Sequence, residues 1–383
     1  MTQSQTARSQ GANKQLRKTK LTKTGFDFGF LITVITLLAL GLLMVFSASY
    51  PSAYYYYNDG LYFIKRQLLW AALGTAAMIF TAGFDYRRYK KLAFPILVAS
   101  FLLLVLVLLV GMEVKGAKRW IGVGGFSFQP SEVAKLALII YFSASLAQIG
   151  EKIKEFKFLV RYWVVMGLFM GLLLLQPHFS VCIIIGMTLV ILLLVAGARM
   201  RYFALIAAPV VFGGTMMVIL EPYRLKRLTT FLDPFSDMLG SGWQIIQSLY
   251  AIGSGGLFGL GFGNSRQKHM YISEPQNDFI FSVVCEELGL IGAAAILVLF
   301  GVLLWRGIKI AVHAPDTFSS LLVTGIMALV SVQVVLNIAV VTSSIPTTGI
   351  PLPFFSAGGS SLLFLMASMG IVLNVSKYKK QTI

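Results

Sequence analysis

Runs such as FLLLVLVLLVG (101–111) and VCIIIGMTLVILLLVAG (181–197) leave this chain few options. Stretches near 20 apolar residues cross roughly 30 Å of hydrocarbon as helices, because a helix satisfies its own backbone where no water can. Charged residues make up 12% of the chain, about half the share usual in soluble domains. The sequence therefore predicts an all-α polytopic membrane protein. Ten spans are expected, near 26–48, 61–82, 92–111, 131–149, 160–176, 179–197, 202–220, 279–304, 317–342 and 361–376. No small-residue cleavage site follows the first apolar run, so that helix is expected to be retained.

Charge then orients the bundle. Of the 32 Lys and Arg, most fall on one face if the N-terminus is cytoplasmic: the tail, DYRRYKK (85–91), EKIKEFKF (151–158), ARMR (198–201), WRGIK (305–309) and SKYKK (376–380). That bias predicts cytoplasmic N- and C-termini. It also accounts for the net charge of +17 without nucleic acid. Residues 1–24 read as a basic, disordered cytoplasmic tail, 25–378 as one membrane domain, and 379–383 as a short cytoplasmic end. Cys182 and Cys285 lie in separate apolar spans, with neither a disulfide framework nor metal-ligand spacing.

The opposite face carries the informative loops, at 112–132, at 221–278 between the seventh and eighth spans, and at 343–361. Loops longer than about 12–15 residues are usually functional. Within the large loop, Trp243, Ile246, Leu249 and Tyr250 recur at helical spacing, as in a helix lying on a bilayer surface. GSGGLFGLGFGNS (253–265) has neither GxGxxG nor GxxxxGK[ST] spacing, so it reads as a turn letting backbone approach lipid or ligand, not as a nucleotide cradle.

EPQNDFIFSVVCEELG (274–289) crowds Glu274, Asp278, Glu286 and Glu287 at a membrane boundary, although the whole chain has only 15 acidic residues. Asp278 precedes the helix that begins with Phe279-Ile280-Phe281. It is either a first-turn anchor, stabilised by about 0.3–1 kcal/mol, or a partly desolvated general base. Glu286 and Glu287 would sit about 12–13 Å deeper, where carboxylates pair with buried cations or line a cavity. In QPSEVAK (129–135), Glu132 and Lys135 share a helix face as a packing ion pair or a substrate site. Lys115, Lys118 and Arg119 beside Trp120, with Arg224, Lys226, Arg227, Arg266 and Lys268, place cations outside. Diphosphate oxygens or lipid head groups are their expected ligands.

AKRWIGVGGFSFQPSEVAKLAL, FLDPFSDMLGSGWQIIQSLYAIGSGGLFGLGFGNSRQK, SEPQNDFIFSVVCEELG and IPTTGIPLPFFSAGGSSL stand in the order found in the SEDS family (shape, elongation, division and sporulation). Over about 25–378 the chain resembles FtsW, SpoVE and RodA, with GNSRQK, EPQNDFIF and the last loop nearer the division and sporulation branch. The resemblance implies a ten-helix peptidoglycan glycosyltransferase that polymerises lipid II beside a class B penicillin-binding protein, in the bacterial cytoplasmic membrane. Other division proteins and membrane lipids are further expected partners. It implies Asp278 as the essential aspartate and carries the family's glutamate and lysine onto Glu132 and Lys135. Lys118, Arg119, Gln267, Lys268 and Ser360 join these as expected contacts to lipid II and the growing glycan strand. No cofactor is demanded, though a divalent cation, Mg or Mn, would suit the diphosphate. Two departures stand out: Gln276-Asn277 replaces His-Thr before the aspartate, and His178 follows Gln176-Pro177 where many members have Asp. Rival functions are a lipid II flippase and a non-catalytic scaffold that activates the transpeptidase.

Overall fold

A computed structural model describes residues 21–23, 25–114, 116–123, 126–205, 213, 215–216, 226, 229–240 and 242–380. Its helices are α1 (Phe28–Tyr57), α2 (Tyr62–Gly83), α3 (Tyr86–Val110), α4 (Pro130–Ile149), α5 (Phe156–Leu175), α6 (Phe179–Val195), α7 (Trp243–Ser254), α8 (Ile280–Val312), α9 (Thr317–Val341) and α10 (Gly359–Ser376). Among the described residues, seven helical stretches, built on α1, α3, α4, α5, α8, α9 and α10, are long and apolar enough to cross a membrane, and α6 is a shorter apolar helix. Nine of the ten expected spans overlap a described helix. The seventh, 202–220, lies mostly outside the described residues.

Local chemistry moves several boundaries. Asp85 caps α3 by accepting from the Arg87 N–H at 2.9 Å, so DYRRYKK belongs to the helix rather than to a loop. The first helix runs nine residues beyond expectation, through Pro51 and the tyrosine run to Tyr57. It ends where Asn58 turns left-handed, with φ 51°.

The all-α expectation needs correction, because two small sheets are present. Met112–Val114 (β2), Ala117–Val123 (β3) and Phe126–Phe128 (β4) form an antiparallel meander between α3 and α4, with Met112 opposite Trp120 and Ile121 opposite Phe128. Trp120, Ile121 and Val123 are residue types that suit a pleated surface. Leu21–Lys23 (β1), expected to lie in the disordered tail, pairs antiparallel with Tyr378–Lys380 (β5). Nearby, Asp27 accepts from the Phe30 N–H at 2.9 Å and from Arg306 at 3.0 Å, and its own N–H reaches Ser376 at 3.1 Å. Both chain ends are thereby tied at one end of the bundle.

Two apolar cores share the interior. One joins α1, α2, α8, α9 and α10; the other joins α3, α4, α5 and α6. Helix α4 contributes to both and is buried almost throughout its first 17 residues. Its start, with Pro130 in the first turn and Glu132 after it, is suited to a helix N-terminus. That start, the start of α8 and the start of α10 meet the loops that carry the motifs.

Candidate active site

Asp278 lies two residues before α8, half-buried, with its backbone fixed from three directions. Asn337, fully buried on α9, donates its amide to the Asp278 carbonyl at 2.8 Å and to the Ile350 carbonyl at 2.7 Å. Ser356 donates to the Asn277 carbonyl at 2.6 Å and accepts from the Leu352 N–H at 2.7 Å. The Ala357 N–H reaches the Gln276 carbonyl at 2.8 Å. The carboxylate faces Gly349, where an added Cβ would stand 3.6 Å from Oδ2. These tethers explain how the chain tolerates Gln276-Asn277 before the aspartate. Main-chain carbonyls of 276 and 277 hold the turn, so orientation of Asp278 does not depend on which side chains precede it.

On the other side of the last loop, Lys135 and Glu132 form an ion pair of 2.8 Å, both less than a tenth exposed. A cavity of about 30 Å³ adjoins them, lined also by Gln333, Leu352 and Ser356. Breaking such a buried pair from one side typically costs about 3–5 kcal/mol. Arg119 does not project freely: it donates to the Gln176 carbonyl at 3.1 Å and to the Pro177 carbonyl. Lys118, opposite Glu113 in the meander, is exposed. His178 sits 3.4 Å from the Gln129 amide. Burial, followed by the charges of Arg119 and Lys135, pushes His178 down to about 3, so it is neutral at pH 7.

Unpartnered polar atoms gather on these same segments. Gln276 Oε1, Asn337 Oδ1, Thr348 Oγ1, His178 Nδ1 and Ser360 Oγ are buried without a hydrogen-bond partner among the described residues. Buried polar groups are ordinarily paired, so their concentration here is the mark of a place that receives polar atoms from elsewhere.

Glu286 and Glu287 behave differently. Glu287 is 1% exposed, accepts from Ser47 at 2.7 Å and pairs with Lys268 at 2.8 Å. Glu286 accepts from the Arg266 and Gln267 N–H groups at 2.9 and 3.3 Å, and from Ser265. The carboxylates thus nail residues 265–268 of the large loop to the bundle. This departs from the expectation that Lys268 faces the diphosphate: it is 4% exposed, and Gly263 and Ser47 take its remaining contacts at 2.7 and 3.0 Å. Gln267 contributes its N–H to the same clamp, while its Oε1 is buried without a partner among the described residues.

Just beyond, α8 breaks at Gly289, whose φ of 67° and ψ of −172° belong to a region essentially reserved for glycine. In an unbroken helix, the N–H groups of Leu290 and Ile291 would reach the carbonyls of Glu286 and Glu287. All four groups go instead to the glycine-rich loop. Leu260 and Gly261 donate to Glu286 and Glu287 at 2.9 and 3.0 Å, and Leu290 and Ile291 donate to Gly256 and Leu257 at 2.9 and 3.2 Å. A Cβ on Gly255, Gly259 or Gly289 would collide with that facing backbone. Gly255, Gly259 and Gly289 therefore serve contact between the loop and a broken helix of the same chain.

Sequence reasoning missed Asn337, Ser356 and Ser47. A lone amide in the apolar run VVLNIAVV was the available signal for Asn337. Arg224 and Arg227 lie outside the described residues, as does Lys115, and Lys226 pairs with Asp237 at 3.1 Å.

The family described as "Cell cycle protein", covering FtsW, RodA and SpoVE, matches residues 29–381. "Stage V sporulation protein E" of Bacillus subtilis is 46% identical over 362 residues, covering 94% of this chain and 99% of that protein. "Probable peptidoglycan glycosyltransferase FtsW" of Trichlorobacter lovleyi is 43% identical over 357 residues, covering 92% and 93%. Among solved structures, a chain from a study of polymerization and crosslinking by a peptidoglycan synthase complex superposes with a TM-score of 0.78 at 33% identity, covering 92% and 98%. Thermus thermophilus rod shape determining protein RodA gives 0.70 at 29%, covering 92% and 97%.

Proposed function

The chain belongs to the cell cycle protein family of FtsW, RodA and SpoVE, and on that premise we propose that it is a peptidoglycan glycosyltransferase polymerising lipid II. The observation that carries the mechanism is Asp278, a half-buried carboxylate held by its main chain where three motif-bearing segments meet. Ten spans, with 202–220 as the seventh, put both termini in the cytoplasm and this site at the outer face of the bacterial cytoplasmic membrane. The large loop then lies outside, between the seventh and eighth spans.

Asp278 takes the proton from the 4-hydroxyl of an acceptor GlcNAc. The hydroxyl oxygen attacks C1 of the donor MurNAc from the face opposite its α-linked diphosphate. The C1–O bond to undecaprenyl diphosphate breaks, the diphosphate leaves with the electron pair, and a β-1,4 linkage remains. Lys118, exposed on the meander, is the cation assigned to the diphosphate, while Lys135 stays paired with Glu132 behind the last loop. Arg119 supports the 176–177 turn beside them, and Lys268 belongs to the loop clamp. Among the described residues no three His, Cys, Asp or Glu side chains gather to hold a metal ion; a divalent cation, Mg or Mn, would be held chiefly by the substrate diphosphate.

A class B penicillin-binding protein is the proposed partner, in keeping with a structural neighbour drawn from a polymerising and cross-linking complex. A flippase would use Glu286, Glu287 and Lys135 as ions along a pathway; each is held by a partner within the fold, which favours the structural role.

The test is glycan formation from labelled lipid II by the purified protein with its cognate transpeptidase, wild type beside Asp278→Asn. Polymer from the wild type, reduced about 10²–10⁴-fold in the variant, supports enzyme and base together. Equal polymer from both removes Asp278 as base, and none from either returns the scaffold to consideration.

A further inference from the structure

An open cavity of about 600 Å³ lies at the outer ends of α1 and α2, against the turn that precedes Asp278. Tyr56, Tyr57, Phe63 and Trp70 line it on one side, and Gln276 and Asn277 line it on the other. Its aromatic wall is pre-assembled. Tyr57 stacks on Tyr62 with centroids 3.7 Å apart and planes 8° apart, Phe63 meets Tyr57 edge-on at 5.7 Å, and Arg66 lies 4.4 Å over Tyr62. Other side chains of the fold do not cover this wall, since Tyr56 is 67% and Tyr57 48% exposed.

The polar side gives a second, independent sign of a ligand. Gln276 is 3% exposed, lines this cavity, and has no hydrogen-bond partner for its Oε1 among the described residues. A buried amide oxygen left open costs about 1–3 kcal/mol, and a ligand donor would remove that cost. Charge narrows the ligand class. Arg66 and Glu274 contribute one charge of each sign to the lining. A diphosphate would call for clustered cations, whereas a neutral polar ring with apolar C–H faces matches aromatic rings facing amides.

Resting on the glycosyltransferase reading, we infer that this cavity is a saccharide subsite that seats an N-acetylated hexosamine ring beside Asp278. The C–H face of the ring lies against the tyrosine and tryptophan wall. Gln276 accepts a hydrogen bond from a ring hydroxyl or the acetamido N–H. Asn277, on the lining, is the residue next to Asp278, about 3.8 Å away along the chain, so the cavity ends at the turn that carries the base. Gln276 becomes a specificity-determining position on the wall of this subsite.

Two sources carry this chemistry: the growing strand and the disaccharide unit of lipid II. Binding of soluble GlcNAc–MurNAc oligosaccharides of two and eight sugars to the full chain in lipid nanodiscs separates them, read by saturation-transfer NMR. The subsite predicts binding to wild type, weakened about tenfold by Tyr57→Ala and several-fold by Gln276→Ala. It also predicts affinity within twofold of wild type in Asp278→Asn. Tighter binding of the longer chain assigns the site to the strand, and equal binding assigns it to the single unit. In polymerisation, Tyr57→Ala should raise KM for lipid II or shorten the product while kcat changes little. Tyr57 is exposed, and an unchanged unfolding temperature verifies that the variant folds. Polymerisation by a wild type that binds neither oligosaccharide overturns the subsite and leaves the activity standing. Binding insensitive to both Tyr57→Ala and Gln276→Ala likewise overturns it. Binding without polymer keeps the subsite and sinks the activity.

Discussion

Asp278 and the Glu286–Glu287 pair lie within ten residues of one another on the same strongly acidic stretch, yet the fold uses them in opposite ways. Around Asp278 the main chain is tied down while neighbouring side-chain atoms are left open: Gln276 Oε1, Asn337 Oδ1 and Thr348 Oγ1 find no partner among the described residues. Around Glu286 and Glu287 the carboxylates meet hydroxyls, backbone N–H groups and a lysine from the large loop. A buried polar group costs free energy unless it is hydrogen-bonded. Satisfied carboxylates therefore read as structure, and a rigid backbone ringed by open polar atoms reads as a place for a ligand.

Substitutions should divide along that line. Asp278→Asn removes the base and is expected to lower polymerisation by about 10²–10⁴-fold while thermal unfolding in detergent stays within a degree or two of wild type. Glu287→Leu should do the reverse in kind. It strands the Lys268 charge inside the protein, at a cost of about 3–5 kcal/mol, and any loss of activity should follow the loss of folded protein. The double variant Glu287→Leu/Lys268→Met should regain most of that stability, because a buried pair replaced as a unit by apolar side chains is often neutral. Equal stability of wild type and Glu287→Leu would refute the clamp. Restored stability without restored activity would show that the clamp also sets the position of the catalytic turn.

The break in α8 sharpens the comparison further. Gly289→Ala forces a side chain into a glycine-only backbone region, costing about 1–3 kcal/mol, and into collision with Gly259. Hydrogen exchange should show faster exchange at Leu260, Gly261, Leu290 and Ile291 together, since their N–H groups form one zipper. Exchange rising at Leu290 and Ile291 alone would mean that loop and helix are not coupled.

Most of the membrane architecture was legible because the hydrocarbon core imposes one rule, apolar length, that a sequence displays directly. Nine of the ten expected spans overlap described helices for that reason. The strands within 112–132 were not legible, because a seven-residue strand such as Ala117–Val123 declares itself only when its partners are known. Asp278, Glu132 and Lys135 were legible as charges at helix starts. The distinction between Lys118 and Lys268 was not, since a lysine's role depends on which carboxylate the fold brings to it. GSGGLFGLG showed that backbone must come close to something. That the something was a break in the next helix could not be read locally, because Gly289 looks like any other helical glycine until its φ is seen.

His178 offers the mildest test, at the edge between the two kinds of region. It is half-buried, 3.4 Å from Gln129, and held down to about 3 by burial and by the charges of Arg119 and Lys135. An unfolded histidine titrates near 6.5. Below that value the unfolded chain binds a proton that the folded site refuses. The stability contributed by a neutral His178 is thus complete above pH 6.5 and declines as pH falls toward 3. Wild type should lose more unfolding temperature between pH 7.5 and 5.5 than His178→Gln does, by a margin worth at most about 1.4 kcal/mol. Equal losses would mean that His178 takes up its proton in the fold as readily as in water, and that the cations beside it face elsewhere.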